Sequence, residues 1–309
     1  MTISATRIGD GPIIHQGMCE SLDDNINGPS LVERPSWLLG PGRFLRYFSH
    51  HKGQHIRLAF ADRLEGPWQV HAPGVLPLGV TPLAQTPPDV PQPDWAVAQG
   101  EDGLYPHLAS PDVWVDEDAR CLRMLVHGLA SHGEQVSYSA TSPDGLDWRI
   151  EGGEIPLIYI RRFVHGDQVY GLCHGGQLAH VRPDGGFEPG PFPIAGQIRH
   201  VAVLVRNDRA HVFFTRIGDA PERIIHTALG LSGPWQAWRP STPETEILRP
   251  TQAWEGADKP VEASRIGAVG LANQLRDPEI FEVDGQVWMI YAGGGEAALG
   301  LARLDGVDL

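Results

Sequence analysis

Short apolar runs with polar residues at alternate positions recur along the chain, and they come in threes. "GPSLVERPSW" is followed by "RFLRYFSHHKG" and "QHIRLAFADRLEGPWQV", and "SPDVWVDEDARCLRMLVHG" is followed by "EQVSYSATSPDGLDWRI". Later units read "YIRRFVHGDQVYGLCHGGQLAHV", "RHVAVLVRNDRAHVFFTRIGDAPERIIHTALG" and "RDPEIFEVDGQVWMIYAGGGEAALGLARL". Few segments keep apolar residues at i, i+3, i+4 and i+7 for three turns, so the pattern predicts strands rather than helices. The turns "DEDAR", "HGDQ", "RNDR" and "VDGQ" fall between the first and second run of a unit, where a hairpin needs residues that tolerate positive φ.

Antiparallel units repeated at roughly 40-residue intervals point to radial packing of small sheets. The expected fold is all-β, a single-domain five-bladed β-propeller spanning 1–309. Its blades fall at approximately 28–70, 110–150, 159–190, 198–239 and 275–305, with the N-terminal segment available to close the ring. Alternation alone also fits a β-sandwich or jelly roll; the fivefold order favours the propeller. Two long connections interrupt the spacing, "APGVLPLGVTPLAQTPPDVPQPDW" and "RPTQAWEGADKPVEAS".

Composition narrows the function classes. A formal charge of −14 argues against nucleic acid as a partner, because phosphate binding needs a basic footprint. No apolar run approaches the roughly 20 residues that span a bilayer, so no membrane partner is expected. The N-terminus lacks a basic start followed by an apolar run, and the expected location is cytoplasmic. Cys19, Cys121 and Cys173 are too far apart for a redox or metal motif and read as reduced thiols. The oligomeric state is not legible.

Hairpin connectivity picks out candidate site residues. In each blade the start of the first strand and the loop after the second converge on one face. Strand starts supply Asn27, Asp112, Arg161, Arg199 with His200, and Arg276 with Asp277. The loops supply His50, His51, His174, Arg216, Glu222 and Glu296. Arg and His dominate this set in a chain that is otherwise acidic, which predicts a pocket for negative charge. On this reading Asn27, His50, His51, Arg161, Arg199, Arg216 and Arg276 bind substrate. Asp112, Asp277, His200 and Glu222 are the candidates for proton transfer, His being suited to acid–base work near neutral pH. His50, His51, His107 and Asp112 are metal-ligand types but lack a short fixed spacing, so no metal is expected.

The blade starts "NGPSLV", "SPDVWV" and "RDPEIF", with the closing phrases "IRLAFADRLEGPW" and "SATSPDGLDW", resemble glycoside hydrolase family 43 and its relatives. Those five-bladed propellers act mostly on arabinosyl and xylosyl linkages, and the resemblance runs from about Asn25 to Leu304. It implies three catalytic carboxylates: a base at the first blade start, a pKa-tuning Asp at the third and an acid Glu at the fourth. These positions fall here on Gly28 beside Asn27, near Arg161, and on Arg199. An arginine cannot be the proton donor, because its pKa stays above about 12 in proteins.

The chain is therefore expected to be a carbohydrate-active enzyme of glycosidase type, with relocated catalytic groups, acting on a small saccharide or glycoside that carries a negative charge. A lyase acting on an acidic saccharide and a non-catalytic sugar- or anion-binding propeller remain open. So does a hydrolase of neutral arabinosides or xylosides, for which Asp24, Glu255 and Glu262 offer further carboxylates. No cofactor is required, while the resemblance allows a structural ion on the propeller axis.

Overall fold

The computed structural model describes residues 3–98, 103–265, 267 and 270–307. Five antiparallel sheets follow one another along the chain, making an all-β five-bladed β-propeller in one domain. Separate sheets in sequence order, each a meander, rule out the two facing sheets of a sandwich. Among the described residues the α-helical content is a single turn at Asp94–Ala98. No helix there is long and apolar enough to cross a membrane.

Contacts cluster the chain into two compact units. One, centred on Gln16–Tyr159, carries the first two blades. Blade one comprises Asn27–Glu33, Phe44–Ser49, His55–Ala61 and Gln69–Pro77. Blade two comprises Leu108–Asp116, Cys121–Leu129, Gln135–Ser142 and Arg149–Ile155. Their shared core includes Tyr47, Ile56, Leu58, Leu108, Met124 and Ala140, all essentially inaccessible to water. Tyr47 meets Trp148 edge to face at 5.6 Å and donates its hydroxyl to the Gly145 carbonyl at 2.9 Å.

The other unit carries blades three to five. Blade three comprises Arg161–His165, Gln168–Leu172, Leu178–Val181 and Phe187–Pro189. Blade four comprises Ile198–Arg206, Arg209–Arg216 and Ile224–Gly230, whose outer edge pairs with both Arg239–Pro240 and Thr245–Leu248. Blade five comprises Leu275–Val283, Gln286–Gly293 and Ala298–Asp305, and Ser4–Arg7 adds its outer strand. Val212 and Phe214 point into the core with blade three, and Phe213 into the core with blade five. A strand buried on both faces needs no polar alternation, which is why "HVFFT" reads as a continuous apolar run.

The hairpin turns use the backbone that their residues allow. Asp284 and Gly285 both have positive φ, at 54° and 70°, the conformation that a tight two-residue hairpin turn requires. The N-terminal strand is tied by charge as well as by pairing. Arg7 forks onto the fully buried Glu255 at 2.7 and 2.9 Å. The Tyr291 hydroxyl and the amides of Thr251 and Gln252 also donate to that carboxylate.

One feature repeats at the start of four blades. Between Asn27 and Ser30, Ala109 and Asp112, Ile198 and Val201, and Arg276 and Glu279, the first strand advances one residue more than its partner. A β-bulge of this kind bends the strand and re-aims a side chain. Its two central positions hold Gly28–Pro29, Ser110–Pro111, Arg199–His200 and Asp277–Pro278. The bulge leaves an amide out of the ladder, so proline is tolerated there within an inner strand. His200 fills the position that is proline in the other three.

Candidate active site

The bulges of blades four and five build a buried network of charge. Arg199 forks onto Glu222, Nε to Oε1 at 2.7 Å and Nη2 to Oε2 at 3.0 Å. Arg276 Nε lies 3.4 Å from Glu222 Oε2, and its Nη1 donates to Glu296 Oε1 at 2.8 Å. Gln274 Oε1 accepts from Arg276 Nε and Nη2 at 3.1 and 2.6 Å. Glu222 and Arg276 are wholly buried. Burial works against the Arg276 charge, but the carboxylates of Glu296 and Glu222 outweigh it and raise the guanidinium pKa.

Backbone pairing between loops holds this network in place. The Leu275 amide donates to the Glu222 carbonyl at 3.0 Å, and the Gly295 amide to the Gln274 carbonyl at 3.1 Å. Gly218 donates to the Ser264 hydroxyl at 3.0 Å, and Ser264 returns its amide to the Asp219 carbonyl.

Beside the network, His200 Nδ1 meets Asp277 Oδ1. Asp277 is fully buried and sits at φ 48°, a left-handed conformation that Asp tolerates better than most residues. The bulge thus turns the carboxylate of blade five toward the imidazole of blade four. The contact puts Nδ1 on the side of the carboxylate and leaves Nε2 as the ring nitrogen turned away from it. His174 completes the group, its Nδ1 3.1 Å from the Arg199 carbonyl. Burial, with smaller effects from the nearby His200 and Arg199, pushes the His174 pKa down to about 4, so this ring is neutral at pH 7.

Other residues singled out by sequence lie elsewhere. Arg216 forks onto Glu244 at 2.8 and 3.1 Å and donates to the Ala195 carbonyl. Arg161 starts blade three in regular register opposite Leu172 and is buried. Glu255 is committed to Arg7.

In the unit of the first two blades, Asn27 Oδ1 accepts the Ser49 hydroxyl at 2.6 Å, and Ser49 Oγ accepts the Ser110 amide at 3.0 Å. The His51 amide donates to Asn25 Oδ1 at 2.7 Å, and the Lys52 amide to His50 Nδ1 at 2.8 Å. Burial, helped by the Arg57 charge, lowers the His50 pKa. Asp112 lies half-buried opposite Leu125, just past the second-blade bulge.

Gly28, at the first-blade bulge, has no room for a side chain. Its φ is 54°, and a Cβ there would sit 2.9 Å from Ser110 Cα. No side chain fits without moving the second blade's backbone.

Among the described residues, no group of three or more His, Cys, Asp or Glu side chains could hold a metal ion.

Comparison with known proteins places the fold in a class. A GH43_1 enzyme from Xanthomonas citri, complexed with xylose, matches 95% of this chain and 89% of its own with a TM-score of 0.61 at 10% identity. A GH43 β-xylosidase/α-arabinofuranosidase from a compost microbial metagenome, in complex with xylotriose, matches 97% of this chain and 94% of its own. Its TM-score is 0.59 at 10% identity. At such identity the likeness shows the fold alone: this is a five-bladed propeller of the GH43 type. The uncharacterized protein R118 of Acanthamoeba polyphaga mimivirus is 33% identical over 96% of this chain and 89% of its own length. The chain belongs to the same family as R118. No family model matches the sequence.

Sequence reasoning singled out Arg199, His200, Glu222, Arg276 and Asp277 without pairing them. What it missed was Gln274 and the pairing itself. Aligning the four bulges would have exposed His200, as the only non-proline at its position.

Proposed function

We propose that the protein is a glycosidase-like enzyme acting on a glycoside, with His200 as its proton-transfer group and Asp277 as the residue that orients it. The His200–Asp277 contact carries this reading. The GH43-type fold and the saccharides bound by its structural neighbours support a saccharide ligand. His200 gives its Nε2 proton to the leaving oxygen as the glycosidic bond breaks. The neutral ring then takes a proton from the water that attacks the anomeric carbon. Glu222 is a poor candidate for the acid, since both its oxygens are already engaged by the Arg199 guanidinium.

The charge balance bears on substrate. Arg199, Arg276 and Arg216 each face a carboxylate, which favours a neutral arabinoside or xyloside over the acidic glycoside expected from sequence. The test is turnover of aryl arabinosides, xylosides and glucuronides by the protein and its His200→Gln variant. The expected result is release from a neutral glycoside, reduced about 10²–10⁴-fold in kcat by the substitution, the usual weight of acid–base catalysis. Saturable binding without turnover would make the protein a lectin-like propeller, and unchanged kcat in the variant would remove His200 from the chemistry.

A further inference from the structure

A cavity in the unit of the first two blades plays no part in the proposed catalysis. It lies where Arg34–Pro41 links the first two strands of blade one, so it opens at the end of that blade away from Asn27 and Ser49. Its volume is about 180 Å³. An apolar cavity of about 150 Å³ accepts a benzene ring, so this one has room for a ring or branched chain and a small polar head. Leu38, Leu45, Leu58 and Phe60 form the floor and walls, and Leu39 and Leu146 stand exposed at the lip.

The walls are closely packed at two glycines. Gly42 and Gly145 have φ 74° and 77°, and a Cβ on either would press to within 2.9 Å of the Ala61 amide nitrogen or 2.8 Å of the Tyr47 hydroxyl. The Gly145 carbonyl accepts from both Tyr47 and Trp148.

Three polar groups border this otherwise apolar space, Arg34 and His71 half-buried and Asp144 exposed at its lip. Arg34 uses Nε on the Gly42 carbonyl and Nη1 on the Leu38 carbonyl, and among the described residues no carboxylate pairs with it. Asp144 takes the amides of Leu146 and Asp147 and the Ser142 hydroxyl on Oδ1 alone. Burial opposes its charge, but those donors hold the carboxyl below the usual range, so it is ionised at neutral pH. His71 has no hydrogen-bond partner among the described residues. A cation and an anion on the wall of one apolar cavity, not paired with each other, match a ligand that brings both charges.

We propose that this cavity binds a free α-amino acid with an apolar side chain of leucine to phenylalanine size. Its carboxylate meets Arg34 and His71, its ammonium meets Asp144, and its side chain fills the space over Leu45, Leu58 and Phe60. A simple fatty or aryl acid would leave Asp144 opposed, and a simple amine would leave Arg34 opposed.

The experiment titrates the full chain with L-phenylalanine, phenylacetate and 2-phenylethylamine by saturation-transfer NMR and calorimetry. Phenylalanine should bind saturably, with each singly charged analogue at least about tenfold weaker, the weight of one charge-assisted hydrogen bond. Asp144→Asn and Arg34→Gln should each lose that discrimination. Because Arg34 also braces two carbonyls, Leu146→Trp provides a second variant, plugging the lip from the surface and abolishing binding. No saturable binding of phenylalanine, equal binding of the three probes, or undiminished binding to Leu146→Trp would overturn the proposal. Glycoside turnover should be the same in Leu146→Trp as in the parent, so the two readings stand or fall separately.

Discussion

The blade starts of the two units use one piece of backbone for opposite ends. In blades one and two the bulge positions hold Gly28 and Ser110, packed so closely that Gly28 has no room for a side chain. In blades four and five the equivalent positions hold Arg199 and Asp277, and both reach charged or titratable partners, Glu222 and His200. The bulge is thus a neutral mount. What stands on it decides whether the strand start serves packing or buried charge pairing.

The sharpest way to break this contrast is to remove Glu222. Glu222→Ala leaves two buried guanidinium groups short of a carboxylate and should cost about 3–5 kcal/mol in urea unfolding. A loss under about 1 kcal/mol would mean that water, not Glu222, solvates them. Gly28→Ala tests the packed side. A Cβ at positive φ pressed against Ser110 should cost about 2–3 kcal/mol, with the measured unfolding midpoint falling accordingly.

A smaller pair of substitutions compares like with like. Ser110 and Asp277 both sit at φ near 50°, where glycine is free of strain. Ser110→Gly should change stability by no more than about 1 kcal/mol. Asp277→Gly relieves the same strain yet should lower kcat about 100-fold or more, since the imidazole loses the group that orients it. Equal activity in the two variants would dissolve the distinction between mount and chemistry.

Acid should act on both units. Burial lowers the pKa of His107 in one and of His174 and His226 in the other to about 4, against an ordinary 6.5. The unfolded chain takes up protons below 6.5 while the folded chain does not, so stability is complete above pH 6.5 and falls between 6.5 and 4. The melting temperature should drop across that window, and His226→Phe should flatten part of the fall.

The fold was legible because its signals are local. Strand alternation, turn residues such as Asp284–Gly285, and a repeat near 40 residues need no distant partner. The site was legible only as a set of residue types. The sequence places a cluster of Arg and His at strand starts, and an excess of cations there suggests a pocket for anions. What residue types do not show is the pairing, because Glu222 and Glu296 reach the guanidinium groups of Arg199 and Arg276 from later loops. Arg216, in a position equivalent to other site residues, is drawn to Glu244 instead.

By itself, then, the sequence determined the blades, their order and the residue types at each strand start, since these depend on neighbours along the chain. Tertiary structure alone decided which charges meet: the turn of Asp277 toward His200, the carboxylate partner of each guanidinium, and the closure of Gly28 against Ser110. The reason is physical. Periodicity is a property of adjacent residues, whereas the energy of a buried charge depends on what lies within a few ångströms in space, and a bulge of one residue is enough to change that company.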